Sequence, residues 1–200
     1  MAKLDIIIGT MFAGKSLELI RRIRLLKILK TRYIVVKPEI DTRMSTNNIV
    51  SHDLDREECI PLETLSILLD WHDIIHSKID TIFIDEAQFF VYLETVVNIL
   101  VDTYNINVIV AGLKCDAKRQ KFGQVIDLIP RCDNVMHLTA LCVKCMDGTP
   151  ATFPHKLVSC KSIEMDEMDE MEDQVDIGGS DKYISVCREH YNKLHEYGFD

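Results

Sequence analysis

The stretch DIIIGTMFAGKSLEL, residues 5–19, decides how the whole chain is read. Ile6, Ile7 and Ile8 form a short, wholly apolar run, the pattern of a strand buried on both faces of a parallel sheet. The next eight residues, Gly9-Thr10-Met11-Phe12-Ala13-Gly14-Lys15-Ser16, match G-x-x-x-x-G-K-[ST] in full, and an apolar-periodic segment follows. In that strand–loop–helix setting the glycines let backbone N–H groups converge on phosphate oxygens at a helix N-terminus. Lys15 has the length to reach β and γ phosphates, and Ser16 has the hydroxyl to ligate Mg²⁺. All eight residues are therefore candidates for holding a nucleotide. A chance glycine turn would not need the flanking strand and helix, and both are expected here.

Working outward, KSLELIRRIRLLKILK (15–30) has apolar residues at helical spacing with basic ones between them, so it reads as a helix. YIVVKP (33–38) is a second buried strand, stopped by proline. DTRMSTNN (41–48) is a polar loop, and LETLSILLDWHDIIHS (62–77) has the spacing of a helix. TIFIDE (81–86) is a third strand ending in two acids. YLETVVNILVDTY (92–104) reads as another helix, and NVIVAGL (107–113) as the strand after it. Strands alternating with helices predict an α/β fold, a P-loop parallel sheet flanked by helices. From about residue 141 the rhythm breaks into CVKC, prolines, an acidic run at about 164–173, a glycine pair and CREH. The expected organisation is thus a nucleotide-binding domain over 1–140 and a small metal-organised subdomain over 141–200. No internal repeat is visible.

Composition narrows the class. At 200 residues and 47% apolar content, one medium domain builds its core without disulfides. No apolar run is long enough to span a bilayer, so no membrane association is expected. The N-terminus passes into the phosphate loop too quickly for a signal peptide. Four of the seven cysteines (Cys59, Cys115, Cys132 and Cys160) lack metal-type spacing and read as small apolar fillers or idle thiols of a reducing compartment. A cytoplasmic chain, cytosolic or nuclear, is expected. The net charge of −9 argues against general nucleic-acid binding. Much of it is local, because EMDEMDEMED (164–173) holds seven acids and no base, leaving the body close to neutral. Its methionines, with acids filling every gap, suit a solvated segment. The arginines after the P-loop read as the solvated face of an amphipathic helix rather than a nucleic-acid surface.

Two further constellations carry chemistry. TIFIDEAQFF places Asp85 and Glu86 at the carboxyl end of a buried strand, the edge where open α/β sheets bind ligands. Asp85 suits Mg²⁺ beside the phosphates. Glu86, one residue on, is a candidate general base whose role depends on geometry. The competing reading is a pair of solvated acids capping a helix. Cys142-x-x-Cys145 and Cys187-x-x-His190 offer three thiolates and an imidazole, a donor set for structural tetrahedral Zn²⁺. The gap between the two knuckles exceeds the usual finger spacing, so the segment between them would be a long loop tied at its base.

Taken in order, GTMFAGKS, DTR followed by SHD, DEAQFF, AGL…KFG, LTALCVKC and IGGSDKYISVCREH resemble the zinc-containing type II thymidine kinase family of cells and large DNA viruses, from about Ile6 to Tyr191. The resemblance implies transfer of the ATP γ-phosphate to the 5′-hydroxyl of thymidine or deoxyuridine, usually by a homotetramer. It also implies a zinc-binding lasso as the C-terminal subdomain. By it, Met11 lies on the nucleoside side of the P-loop, and Asp41 and Arg43 lie near the phosphate-transfer site. Glu86 resembles the catalytic base and Phe89 a wall of the base pocket, with Leu113 and Phe122 of AGL…KFG lining that pocket. Tyr183 resembles the tyrosine of a lasso closing over the thymine, and Cys142, Cys145, Cys187 and His190 match the zinc ligands. The chain departs from the pattern at Lys114 and Ala117, where aspartate and phenylalanine are common, and at Pro154, where a hydroxyl residue is expected. The acidic run, just before Val175 and Ile177, also lies within the lasso. These departures fall on the base-binding side and leave the phosphate machinery intact. The alternative function is a P-loop NTPase switch whose zinc knuckle binds a partner, but the guanine-specifying N-K-x-D string is missing; a third is a nucleotide-binding regulator without catalysis.

Overall fold

A computed structural model describes residues 1–41, 47–50, 55–76, 78–157 and 182–196. The expected polar loop after Asp41, including Arg43, lies largely outside them, as do the acidic run, Cys160, Val175 and Ile177. Six strands form one sheet. They are β1 (Leu4–Gly9), β2 (Tyr33–Pro38), β5 (Ile60–Leu62), β6 (Thr81–Ile84), β7 (Asn107–Leu113) and β8 (Asn134–Leu138), in the order β5-β2-β6-β7-β1-β8. Every pairing in it is parallel. A two-stranded antiparallel ribbon, β3 (Asn48–Val50) and β4 (Arg56–Glu58), stands beside it.

The apolar runs are continuous because both faces of the sheet are covered. Ile6, Ile8, Val36, Ile82, Ile84, Val108 and Val110 point into one core, while Ile7, Val35, Phe83 and Ala111 point into the other. Helix α1 (Lys15–Ile28) covers the second face with Leu19, Ile20 and Ile23. The first is covered by a 3₁₀ segment at Leu65–Asp70, α2 (His72–Ile75), α3 (Leu93–Asn98) and a second 3₁₀ segment at Val125–Arg131. The α/β expectation therefore holds, with a parallel sheet between two covered faces.

Two expected helices differ in detail. The stretch 62–77 is not one helix. Leu62 closes β5 opposite Pro38, and Trp71 is extended between the 3₁₀ turn and α2. The buried pair Leu65 and Leu68 is spaced by three, which suits the i,i+3 alignment of a 3₁₀ turn as well as an α-helix. The helix expected over 92–104 is α-helical only to Asn98, then widens into a π-helical turn at Ile99–Thr103. The third sheet strand stops at Ile84, but the Asp85 N–H still donates to the Val36 carbonyl at 3.0 Å, so the acid remains anchored to β2.

Beyond β8 the chain builds a smaller unit around its own core of Ala140, Cys142, Ala151, Phe153, Val186, Cys187 and Tyr191. Strand β9 (Ala140–Leu141) pairs with β10 (Pro150–Ala151), and β11 (Phe153–Lys156) with β12 (Tyr183–Val186), both antiparallel; α4 (Arg188–Glu196) follows. Among the described residues no helix is long and apolar enough to cross a membrane.

Phe83, fully buried at the centre of the sheet and edge-on to Tyr33 at 6.0 Å, is the test of this core. Phe83→Ala should destabilise the protein by about 3–5 kcal/mol in urea titrations, the usual loss when a buried phenylalanine leaves a cavity.

Candidate active site

The carboxyl edge of the sheet assembles the site. β1 runs into the P-loop, where a Cβ on Gly9 would stand 2.6 Å from the Leu138 carbonyl oxygen, so only glycine lets β1 and β8 lie so close. Gly14 caps α1 at φ 82°, a conformation that side chains resist, and turns the loop into the helix. Lys15 is buried, and its Nζ donates to the Thr10 carbonyl at 2.9 Å. Ser16 Oγ donates to Asp85 Oδ2 at 2.9 Å. The structure thus brings together two residues, 69 apart in sequence, that the sequence reading assigned to one Mg²⁺. An ion there would be held by the Ser16 hydroxyl and the Asp85 carboxylate, both hard oxygen donors that fit Mg²⁺. Burial, and then the neighbouring Glu86 charge, raise the Asp85 pKa far above the usual carboxylate range; the Ser16 hydrogen bond works in the opposite direction.

Glu86 is half-buried in the left-handed region at φ 47°, ψ 39°, and its N–H donates to Asp85 Oδ1 at 3.0 Å. Asp85 is buried and the Glu86 side chain makes no cap bond to the turn that follows, so a solvated helix-capping pair is not what forms. The Glu86 carboxylate accepts from Gln88 Nε2 at 2.5 Å. Gln88, itself buried, takes the Leu113 N–H on Oε1 at 3.0 Å. One amide therefore ties the acid after β6 to the end of β7. Gly112 and Gly123 close around Gln88: added Cβ atoms would meet its Oε1 at 2.9 Å and its carbonyl oxygen at 2.2 Å. The sequence reading missed Gln88, although a glutamine placed directly before two phenylalanines was the available signal.

The expected pocket walls gather on the same edge. Phe89, in the short 3₁₀ turn Ala87–Phe89, meets Phe122 edge to face at 5.4 Å, and Leu113 ends β7 beside Gln88. Asp41 lies after β2, where the buried Lys37 donates to its carbonyl at 2.8 Å and stands 3.6 Å from its carboxylate. Lys37 was also missed; a lysine inside the apolar string YIVVKP marked it. Tyr183 opens β12 opposite Lys156 and is half-buried.

Cys142, Cys145, Cys187 and His190 converge, with all four ligand atoms within 4.8 Å of one another. The His190 Nδ1 lies 3.3 Å from both Cys145 and Cys187 Sγ and 3.7 Å from Cys142 Sγ. Zn–S and Zn–N bonds of about 2.0–2.3 Å in a tetrahedron place donors roughly 3.5–3.8 Å apart, so the cluster fits Zn²⁺. Burial pushes the Cys142 thiol up, but N–H groups of Cys187, Cys145 and Lys144 outweigh it and bring the pKa down to about 6. Burial, with the hydrogen bond to Cys142, lifts Cys145 to about 11.

The loop after β7 seats this unit. The Arg119 guanidinium lies 3.6 Å from the Tyr191 ring and 4.6 Å from the Phe153 ring, and the Tyr191 hydroxyl donates to the Ala117 carbonyl at 2.7 Å. Lys114 Nζ lies 5.0 Å from the Phe153 ring. The residues that depart from the resemblance therefore contact the cysteine-bearing unit.

Comparison with known proteins shows what the chain as a whole is similar to. The sequence model of the family described as "Thymidine kinase" matches residues 2–191. A thymidine kinase of Bacteroides fragilis is 36% identical over 192 residues, covering 96% of this chain and 87% of that protein. One from Oryza sativa subsp. japonica is 37% identical over 191 residues, 94% of this chain and 66% of the relative. One from Fowlpox virus is 35% identical over 193 residues, 93% and 94% of the two chains.

Two outcomes test the site. A folded-state pKa raised above the unfolded value means that stability from a protonated Asp85 is full in acid and lost as pH rises through the neutral range. In the absence of Mg²⁺ and nucleotide, Asp85→Asn should remove that loss and melt a few °C above the wild type at pH 8, with the difference shrinking steadily as pH falls from about 7 toward 4, by scanning calorimetry. Cys187→Ala should lower bound zinc, measured by metal analysis of the purified protein, from near one ion per chain to a small fraction; a metal-free wild type would end the zinc assignment.

Proposed function

The chain belongs to the thymidine kinase family, and from that premise we propose how its residues divide the work of phosphoryl transfer. It is a nucleoside kinase that uses ATP. The P-loop from Gly9 to Ser16 wraps the phosphates, with Lys15 moving from the Thr10 carbonyl to the phosphate oxygens. Ser16 and Asp85 hold Mg²⁺, which supplies charge neutralisation to the triphosphate. Asp41, braced by Lys37, and Arg43 flank the transferring group.

Glu86 is the base. The 5′-hydroxyl oxygen of the nucleoside forms a bond to the γ-phosphorus while the bond from that phosphorus to the β–γ bridging oxygen breaks; ADP leaves, and the hydroxyl proton passes to Glu86. The observation that carries this role is the Gln88 bridge, which fixes the Glu86 carboxylate against the end of β7. Phe89, Leu113 and Phe122 form the apolar wall against which a neutral pyrimidine lies, with Met11 and Tyr183 completing the enclosure. Thymidine or deoxyuridine is the acceptor. The unit from about residue 141 acts as the zinc-tied lasso that covers the site and keeps water from taking the phosphate.

The wider reading is a homotetramer in the cytoplasm, without stable nucleic-acid binding. Exposed Leu25, Ile28 and Leu29 on α1 support self-association. The switch alternative has no observation in its favour.

Glu86→Gln should keep ATP-analogue binding near the wild-type value while lowering turnover of thymidine by roughly 10²–10⁴-fold, the range for a lost acid–base group. Product formation from labelled ATP with a panel of deoxynucleosides measures it; undiminished turnover would remove Glu86 from the mechanism.

A further inference from the structure

We propose that Ser185 is a positioning residue of phosphoryl transfer, its hydroxyl locking the phosphate loop onto the strand that joins the lasso to the cysteine cluster. The inference rests on the kinase reading above and adds a residue that neither the motifs nor the base pocket called for.

Ser185 lies in the middle of β12, two residues after Tyr183 and two before Cys187. It is 1% exposed. Its Oγ donates to the Met11 carbonyl at 2.7 Å and stands 3.3 Å from the Thr10 hydroxyl, which is equally buried. A serine hydroxyl has one proton. With that proton on the Met11 carbonyl, the Thr10 hydroxyl must donate to Ser185 Oγ, so a directed relay runs from Thr10 through Ser185 to Met11. Both ends of the relay are P-loop residues, and Thr10 is also the residue whose carbonyl receives Lys15 Nζ.

The backbone of Ser185 is held from the other side. Its carbonyl accepts from the Val143 N–H at 3.3 Å, inside the Cys142–Cys145 knuckle. Its partner across the ribbon is Pro154, at a non-hydrogen-bonded position of the antiparallel pair, so the Ser185 carbonyl points away from β11. The carbonyl therefore turns to the knuckle while the side chain grips the P-loop. A single buried residue is fastened to the metal cluster by its main chain and to the phosphate loop by its hydroxyl. Removing the hydroxyl takes a partner from the half-buried Met11 carbonyl and from the buried Thr10 hydroxyl at once, and the second loss falls on a group 1% exposed.

The test uses the full-length, zinc-loaded protein, with equilibrium binding of a non-hydrolysable ATP analogue plus Mg²⁺ and steady-state kinetics. Ser185→Ala is expected to raise the Kd of the analogue and the KM for ATP by about tenfold, with the KM for thymidine within about twofold of wild type and zinc content unchanged. Thr10→Val removes only the donated proton and should weaken the analogue by a few fold. In the double variant the two losses should be less than additive, because they break one relay. Wild-type ATP affinity in zinc-loaded Ser185→Ala overturns the proposal. So does loss of zinc or of thymidine affinity with ATP affinity intact, which would assign Ser185 to the knuckle alone. Should Ser185→Ala fail to fold, Thr10→Val decides, and an unchanged Kd overturns the idea. A wild type that binds no ATP analogue overturns the kinase reading and this proposal with it, whereas wild-type binding with an unresponsive Ser185→Ala overturns this proposal alone.

Discussion

The hydrogen bond from Ser16 Oγ to Asp85 Oδ2 joins two strand ends that are not neighbours. Ser16 follows β1 and Asp85 follows β6, and β7 runs between them in the sheet. The bond closes only in one stagger, with β6 ending opposite Val110 while β1 and β7 run on to the Gly9–Leu113 pair, so the register of the parallel sheet sets the geometry at its carboxyl edge. Gly9 opposite Leu113 and Ile84 opposite Val110 are that register. A slip of one residue would reverse which side chains face each core, and the two buried faces forbid it. Catalytic geometry is thus a by-product of apolar packing on both sides of the sheet.

From that edge, polar side chains act as fasteners in places where apolar ones could not. Gln88 is an amide with both ends in use, one on Glu86 and one on the β7 backbone. The glycines at 112 and 123 are required because Gln88 occupies the volume their side chains would fill. Lys37 is nearly inaccessible and bonds to the Asp41 carbonyl beside the Asp41 carboxylate, so the start of the following loop is held by a buried charge pair.

Among the described residues, ring stacking and hydrogen bonds fasten the cysteine-bearing unit to the nucleotide-binding part. Arg119 is stacked against Tyr191 and Phe153, the Tyr191 hydroxyl reaches the Ala117 carbonyl, and Ser185 reaches the P-loop. The first two involve the loop that follows β7, where Lys114 and Ala117 depart from the family pattern. Backbone N–H groups beside Cys142 favour its thiolate, the form that ligates a cation.

The P-loop, the sheet class, the buried strands and the two metal-binding knuckles were all legible in the chain by itself. Each is written in short-range spacing: an apolar run of fixed length, glycines at set intervals, ligands two residues apart. The helical expectations at 62–77 and 92–104 were less secure, because spacing by three serves a 3₁₀ turn as well as an α-helix, and a π-helical turn leaves no mark in composition. Gln88, Lys37 and Ser185 carried weak local signals, each a polar residue in an apolar string. Their partners lie 25 positions away for Gln88 and 174 for Ser185, so no local pattern could name them. Tertiary structure alone decided which buried hydroxyl, amide and ammonium met which acceptor. A buried polar group must find a partner, but its identity depends on strand order and register, which only the assembled sheet supplies.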